Sequence, residues 1–110
     1  MHLLAATPGG FVDDTVITDL QQQPADIVIL SAADTTLALL AAALPTQTNY
    51  PSVRLANLLY LRQPVSVDLY IEKTLRHAKL IIIDHLGGES YWPYGTEQLV
   101  MLARDLNIAL

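Results

Sequence analysis

Apolar and polar positions along this chain switch between two periods, and the switching predicts strands and helices in turn. Asp26–Ser31 (Asp-Ile-Val-Ile-Leu-Ser) is β-branched and nearly all apolar, the pattern of a strand buried on both faces. Asp34 is placed to offer an N-cap oxygen to a helix over Thr35–Leu44, which Pro45 ends. Its alanines suit helix propensity and close packing on a sheet. Ser52–Leu58 reads as the next strand, bounded by Tyr50-Pro51. Ser66 is the predicted cap of a helix to about Ala78, with Val67, Ile71, Leu75 and Ala78 on one face and Glu72–Arg76 as an i,i+4 pair on the other. Lys79–Asp84, with its run Leu80-Ile81-Ile82-Ile83, is the clearest strand. Thr96–Asn107 carries a helical stripe of Leu99, Leu102, Ala103 and Leu106.

Upstream, His2–Ala6 reads as a short first strand closed by Thr7-Pro8-Gly9-Gly10. Phe11–Pro24, with Asp13, Asp14, Asp19 and three glutamines, reads as a loop or a distorted helix. Strand and helix in alternation call for a parallel sheet with helices on its faces. The expected fold is therefore α/β and three-layered, with a mostly parallel sheet of flavodoxin-like or Rossmann-like kind and one domain over 1–110. Asn107 is placed to close the last helix. Ile108-Ala109-Leu110 then opens another apolar run, so the sequence breaks off in what reads as a fifth strand. The expectation is therefore a fragment, either a truncated gene product or a cut piece.

Composition narrows the picture further. The hydrophobic fraction is 52% and the charged fraction 15%, against the roughly 45–50% and 25% of ordinary globular domains. A small domain has much surface to cover, and such a low charge count implies that something else covers part of it. The net charge is −5, and no run of Lys or Arg occurs, which argues against nucleic acid or an anionic membrane as partner. The chain has no cysteine, which excludes disulfides, thiolate metal sites and cysteine nucleophiles. The start lacks the features of a signal peptide, and the longest apolar runs, such as Leu37–Leu44, fall far short of the ~20 residues that span a bilayer. The expected compartment is the cytoplasm.

Few residues offer chemistry. Thr7-Pro8-Gly9-Gly10 sits where a phosphate loop would be, yet matches neither G-x-G-x-x-G nor G-x-x-x-x-G-K-[ST], so an ordinary tight turn is expected. Asp13 and Asp14 are adjacent and point in different directions, as in a solvated acidic loop. Ser31 and Ser90 lie near strand ends, but no G-x-S-x-G elbow or evident base accompanies them. Among the three histidines, His2 is terminal and His77 ends a helix, where a cation suits the macrodipole. Asp84-His85 falls where open α/β sheets bind ligands. His85 is the candidate metal ligand, and a local hydrogen-bonding pair with Asp84 is the alternative.

The most distinctive stretch is Leu86-Gly87-Gly88-Glu89-Ser90-Tyr91-Trp92-Pro93-Tyr94-Gly95, which holds the only tryptophan, two of the five tyrosines and three of the five glycines. Paired glycines after a strand allow close backbone approach, and Trp92-Pro93 stiffens the next few residues. Gly87, Gly88, Tyr91, Trp92 and Tyr94 are thus candidate contacts for a flat apolar ligand. The same rings would equally pack under the loop or against a neighbouring domain, and packing is the expected role.

This loop, together with Pro51-Ser52-Val53-Arg54-Leu55-Ala56-Asn57-Leu58, Pro64–Leu75 and the segments 1–10 and 26–34, resembles the N-terminal segment of the cobaltochelatase large-subunit family (CobN), relatives of the magnesium chelatase large subunit. The resemblance covers almost the whole chain, with departures at Gln47-Thr48-Asn49-Tyr50 and Asp84-His85. It implies a parent that inserts cobalt, its substrate, into hydrogenobyrinic acid a,c-diamide in cobalamin biosynthesis. ATP and magnesium would act at AAA+-type partner subunits, and the flat ligand would be a tetrapyrrole. It also implies that the porphyrin and metal site lies in the remainder of the large subunit. No catalytic residue and no bound cofactor carry over to this chain, whose role would be assembly or tetrapyrrole recognition. The competing reading is a stand-alone small α/β ligand-binding domain of flavodoxin-like type.

Overall fold

The computed structural model describes residues 17–46, 51–85 and 91–110. The first predicted strand (His2–Ala6), the turn after it, Asp13-Asp14 and the stretch 47–50 lie outside these residues. Three strands, β1 (Ile27–Ser31), β2 (Val53–Asn57) and β3 (Leu80–Asp84), alternate with three α-helices, α1 (Asp34–Ala43), α2 (Pro64–Lys73) and α3 (Pro93–Leu106). The strands form an all-parallel sheet in the order β2-β1-β3. Ile27 stands opposite Val53 and Leu80, and Ser31 opposite Asn57 and Asp84.

Side chains alternate across the sheet, so each strand feeds two layers. Val28, Leu30, Ala56 and Ile81 face α2 and α3 and form the main core with Val67, Tyr70, Leu75, Trp92 and Leu99. Ile27, Ile29, Val53 and Leu55 face α1, where Leu37, Leu40, Ala41 and Leu44 meet them. Two crossovers of one hand that run in opposite directions across a sheet put their helices on opposite faces. That accounts for α1 on one side and α2 on the other. The expected three-layer arrangement is therefore present, with β1 at its centre.

The apolar run at the chain's end, read from the sequence as the start of a further strand, meets the three-stranded sheet at one isolated bridge. Ile81 N donates to Ala109 O (2.9 Å), and Ala109 N to Lys79 O (3.1 Å), a parallel bridge on the outer side of β3. Asn107, with φ 56°, is the left-handed residue that turns the chain out of α3, and Ile108 drops into the main core.

Helix boundaries differ from the sequence reading in several places. Asp34 is the first residue of α1 and Ala33 its cap; the Asp34 carboxylate instead accepts a hydrogen bond from Asn57 Nδ2 (2.7 Å). Ser66 lies inside α2, which starts at Pro64, a residue preset for a helix's first turn. The Ser66 hydroxyl accepts Thr18 N (2.8 Å). α2 also stops at Lys73, five residues early, and continues as a 3₁₀ turn over Leu75–His77. The Thr74 hydroxyl there donates to Gln22 O (2.6 Å). Conversely α3 begins at Pro93, three residues before its predicted start.

Residues 17–25 have no regular structure and run as a strap between β2 and α2. Gln22 pins it. Its side-chain amide donates to Leu55 O (3.1 Å) and its side-chain oxygen accepts the Tyr70 hydroxyl. The buried Arg54 guanidinium donates to Gln23 O (3.1 Å) and Val53 O (2.8 Å). Burial holds the Tyr70 phenol well above its ordinary range. At the surface Lys73 pairs with Asp19, and this hydrogen bond keeps the Asp19 carboxyl below the usual value.

Candidate functional site

Chemistry-bearing side chains of the described residues gather at the carboxyl edge of the sheet, the end at which parallel α/β sheets take ligands. The three strand ends supply Ser31, Asn57 and Asp84 in one register row. Ser31, fully buried, donates its hydroxyl to Asp84 Oδ2 (3.0 Å) and accepts Ala33 N (3.0 Å). Asn57 donates to Asp34 and accepts Leu59 N (2.8 Å), which caps the 3₁₀ turn Leu58–Leu61. A serine nucleophile needs an exposed oxygen and a base able to take its proton. Here the buried hydroxyl is committed to Asp84, so Ser31 ties β1 to β3.

Asp84 and His85 take different partners. The His85 ring stacks on Tyr91 with centroids 6.5 Å apart and planes at 30°. The exposed Arg62 guanidinium sits 5.8 Å from the centre of the same Tyr91 ring, a cation–π arrangement. Half-buried Tyr91 thus joins an imidazole and a guanidinium in one surface patch beside the strand ends. Among the described residues no three His, Asp or Glu side chains gather as a metal-holding group. Gly87, Gly88 and Ser90 lie outside the described residues.

The aromatic candidates divide by environment. Trp92 is 4% exposed and belongs to the main core. Its indole Nε1 donates to Leu61 O (2.9 Å), tying the start of α3 to the turn after β2. The indole lies directly on Gly95, where an added Cβ would fall 2.0 Å from Trp92 Cε2. Tyr94 reaches across to α2, its hydroxyl donating to Asp68 Oδ1 (2.8 Å), and that hydrogen bond raises the phenol above its ordinary value. So Tyr91 faces the edge, Trp92 packs and Tyr94 ties two helices. One buried side-chain oxygen, Thr96 Oγ1 in the first turn of α3, has no hydrogen-bond partner.

Sequence reasoning passed over Asn57, Asp34's tie to it, and Arg62. Only the first left a usable signal: a polar side chain at the carboxyl end of a predicted strand. A separate groove of about 230 Å³ lies between α2 and α3, lined by Ile71, Glu72, Arg76, Leu102, Asp105 and Leu106. It is at the other end of the helices and smaller than the roughly 300–1,000 Å³ of typical ligand pockets.

Comparison with known proteins gives two long matches. The chain is 55% identical over 104 residues to the aerobic cobaltochelatase subunit CobN of Pseudomonas aeruginosa, a match covering 94% of this chain. It is 50% identical over 99 residues, 90% of the chain, to the subunit of the same name from a Sinorhizobium species. In both cases the chain spans about 8% of the relative's length. No family model and no solved structure matches.

Proposed function

This chain belongs to the CobN family of aerobic cobaltochelatase subunits, and we propose that it is the N-terminal module of an ATP-dependent cobaltochelatase large subunit acting in the cytoplasm. In this reading the whole subunit inserts cobalt into hydrogenobyrinic acid a,c-diamide. AAA+-type partner subunits hydrolyse ATP with magnesium, and this module serves assembly or tetrapyrrole recognition without chemistry of its own. The observation that carries the reading is identity of 55% sustained over 94% of the chain.

The carboxyl edge supports a non-catalytic role, because Ser31, Asp34, Asn57 and Asp84 are engaged in tying strand and helix ends together. Recognition, in this reading, falls to the Tyr91 patch. Its half-buried ring offers a face for stacking, and Arg62 and His85 beside it suit a ring bearing peripheral carboxylates.

The test is a graft. Replacing the matching residues of the Pseudomonas aeruginosa subunit with this chain should preserve cobalt insertion when partner subunits, ATP and corrinoid are supplied. The chain alone should yield no metallated product under the same conditions. An inactive graft, or turnover by the chain alone, would sink the reading.

A further inference from the structure

An open α/β sheet is normally covered on both faces, and here one face is covered only in part. α1 lies over β1 and β2. Among the described residues no helix covers the α1 side of β3, where Leu80 and Ile82 share the register rows of Ile27 and Ile29. Ile82 is 42% exposed there. α1 itself, Asp-Thr-Thr-Leu-Ala-Leu-Leu-Ala-Ala-Ala, carries no charge after Asp34. Its outward side presents Leu39, 72% exposed, beside Ala42. Beyond Thr35 and Thr36 of its first turn α1 is apolar on all sides, as helices in the interior of a larger protein or in a membrane are, and at ten residues it is far too short to cross a bilayer. The back of α1 and the bare side of β3 thus form one mainly apolar step at the surface, bounded at its carboxyl end by Asp84, which follows Ile82 on the same side of β3.

We propose that this step is the face by which the module docks onto the remainder of a cobaltochelatase large subunit, a helix of that remainder lying beside α1 over β3. The proposal rests on the module reading above and adds the surface and the partner. Three observations choose this occupant. The relatives devote about 8% of their length to the matching region, so most of the subunit is available to cover it. Leu39, Ala42, Leu80 and Ile82 make the middle of the face apolar and leave the carboxylates of Asp34 and Asp84 at its carboxyl rim, as in obligate interfaces, whose apolar cores resemble a domain interior cut in half. Neighbouring strands lie about 4.8 Å apart, so a helix at the usual interaxial distance of about 8–10 Å from α1 would lie over β3 and the bridge at Ala109.

The absence of cysteine from the chain makes thiol labelling a direct readout. Leu39→Cys and Ile82→Cys should react readily with a maleimide in the isolated chain, as should Arg104→Cys on the exposed side of α3. In the graft, peptide mapping should show positions 39 and 82 labelled about tenfold or more slowly, since reaction then waits on local opening, while position 104 stays reactive. An active graft in which 39 and 82 label as fast as 104 overturns the docking face and leaves the module reading standing. An inactive graft removes both. Protection of 39 and 82 already in the isolated chain, accompanied by a dimer's mass in light scattering, would assign the face to a second copy and overturn the proposal.

Discussion

Trp92 and Gly95 form a unit that explains why a Trp-Pro-Tyr-Gly sequence stands at the head of α3. Pro93 starts the helix, and the indole of the residue before it folds back over the first turn. That turn has room for the ring only because position 95 has no side chain. Trp92→Ala removes a buried aromatic and a hydrogen bond to Leu61 O; the expected cost is about 3–5 kcal/mol. Gly95→Ala adds one methyl group into the ring and should cost about 1–3 kcal/mol by overpacking. Urea unfolding of each variant measures this, and a Gly95→Ala protein as stable as the parent would contradict the contact. Because the two act on one contact, the double variant should lose less than the sum. The ring's burial was foreseeable from an apolar-rich, charge-poor chain. Its seat on Gly95 was not, since the sequence reading counted that glycine in the loop without giving it a role, and the structure makes it the floor under the ring.

The strands of the described residues were readable within a residue or so, because continuous β-branched runs bounded by polar positions leave few alternatives. Helix ends were less so. A serine or aspartate before an apolar stripe signals a cap, but Asp34 and Ser66 were recruited by groups distant in sequence, Asn57 and Thr18, which no local pattern shows. The early end of α2 has the same origin: Thr74 turns its hydroxyl to Gln22 O, beside the point where Tyr70 holds the Gln22 side chain. Tyr70→Phe should therefore leave the buried Gln22 oxygen short of a donor and cost about 1–3 kcal/mol. The pH response has a definite sign. Burial raises the folded-state value of Tyr70, so above the unfolded value of about 10 the unfolded chain has released a proton that the folded chain keeps. Stability contributed by this group is complete below that pH and falls as pH rises through the window between the two values. Chemical denaturation at pH 9 and pH 11 should show a smaller alkaline loss in Tyr70→Phe than in the parent; an equal loss would remove Tyr70 from the account.

At the scale of the whole molecule, the sheet's centre and its β3 side should differ in stability. β1 is paired along both sides, through Ile27–Ser31 to β2 and to β3. The outer side of β3 is held by the bridge at Ala109, with Ile108 anchored in the core beneath it. Deleting residues 108–110 removes both the bridge and a buried isoleucine, for which losses of about 2–5 kcal/mol are usual. Ile81 N then loses its acceptor, Ala109 O, while the β1 amides keep theirs. Hydrogen exchange followed by NMR should consequently show faster exchange at Ile81 in the shortened chain under conditions where Ile81 opens locally. The β1 amides report global unfolding and should accelerate only by the overall loss of stability. Equal acceleration at every amide would mean that the edge does not open on its own, and that the last three residues stabilise the sheet only as a whole.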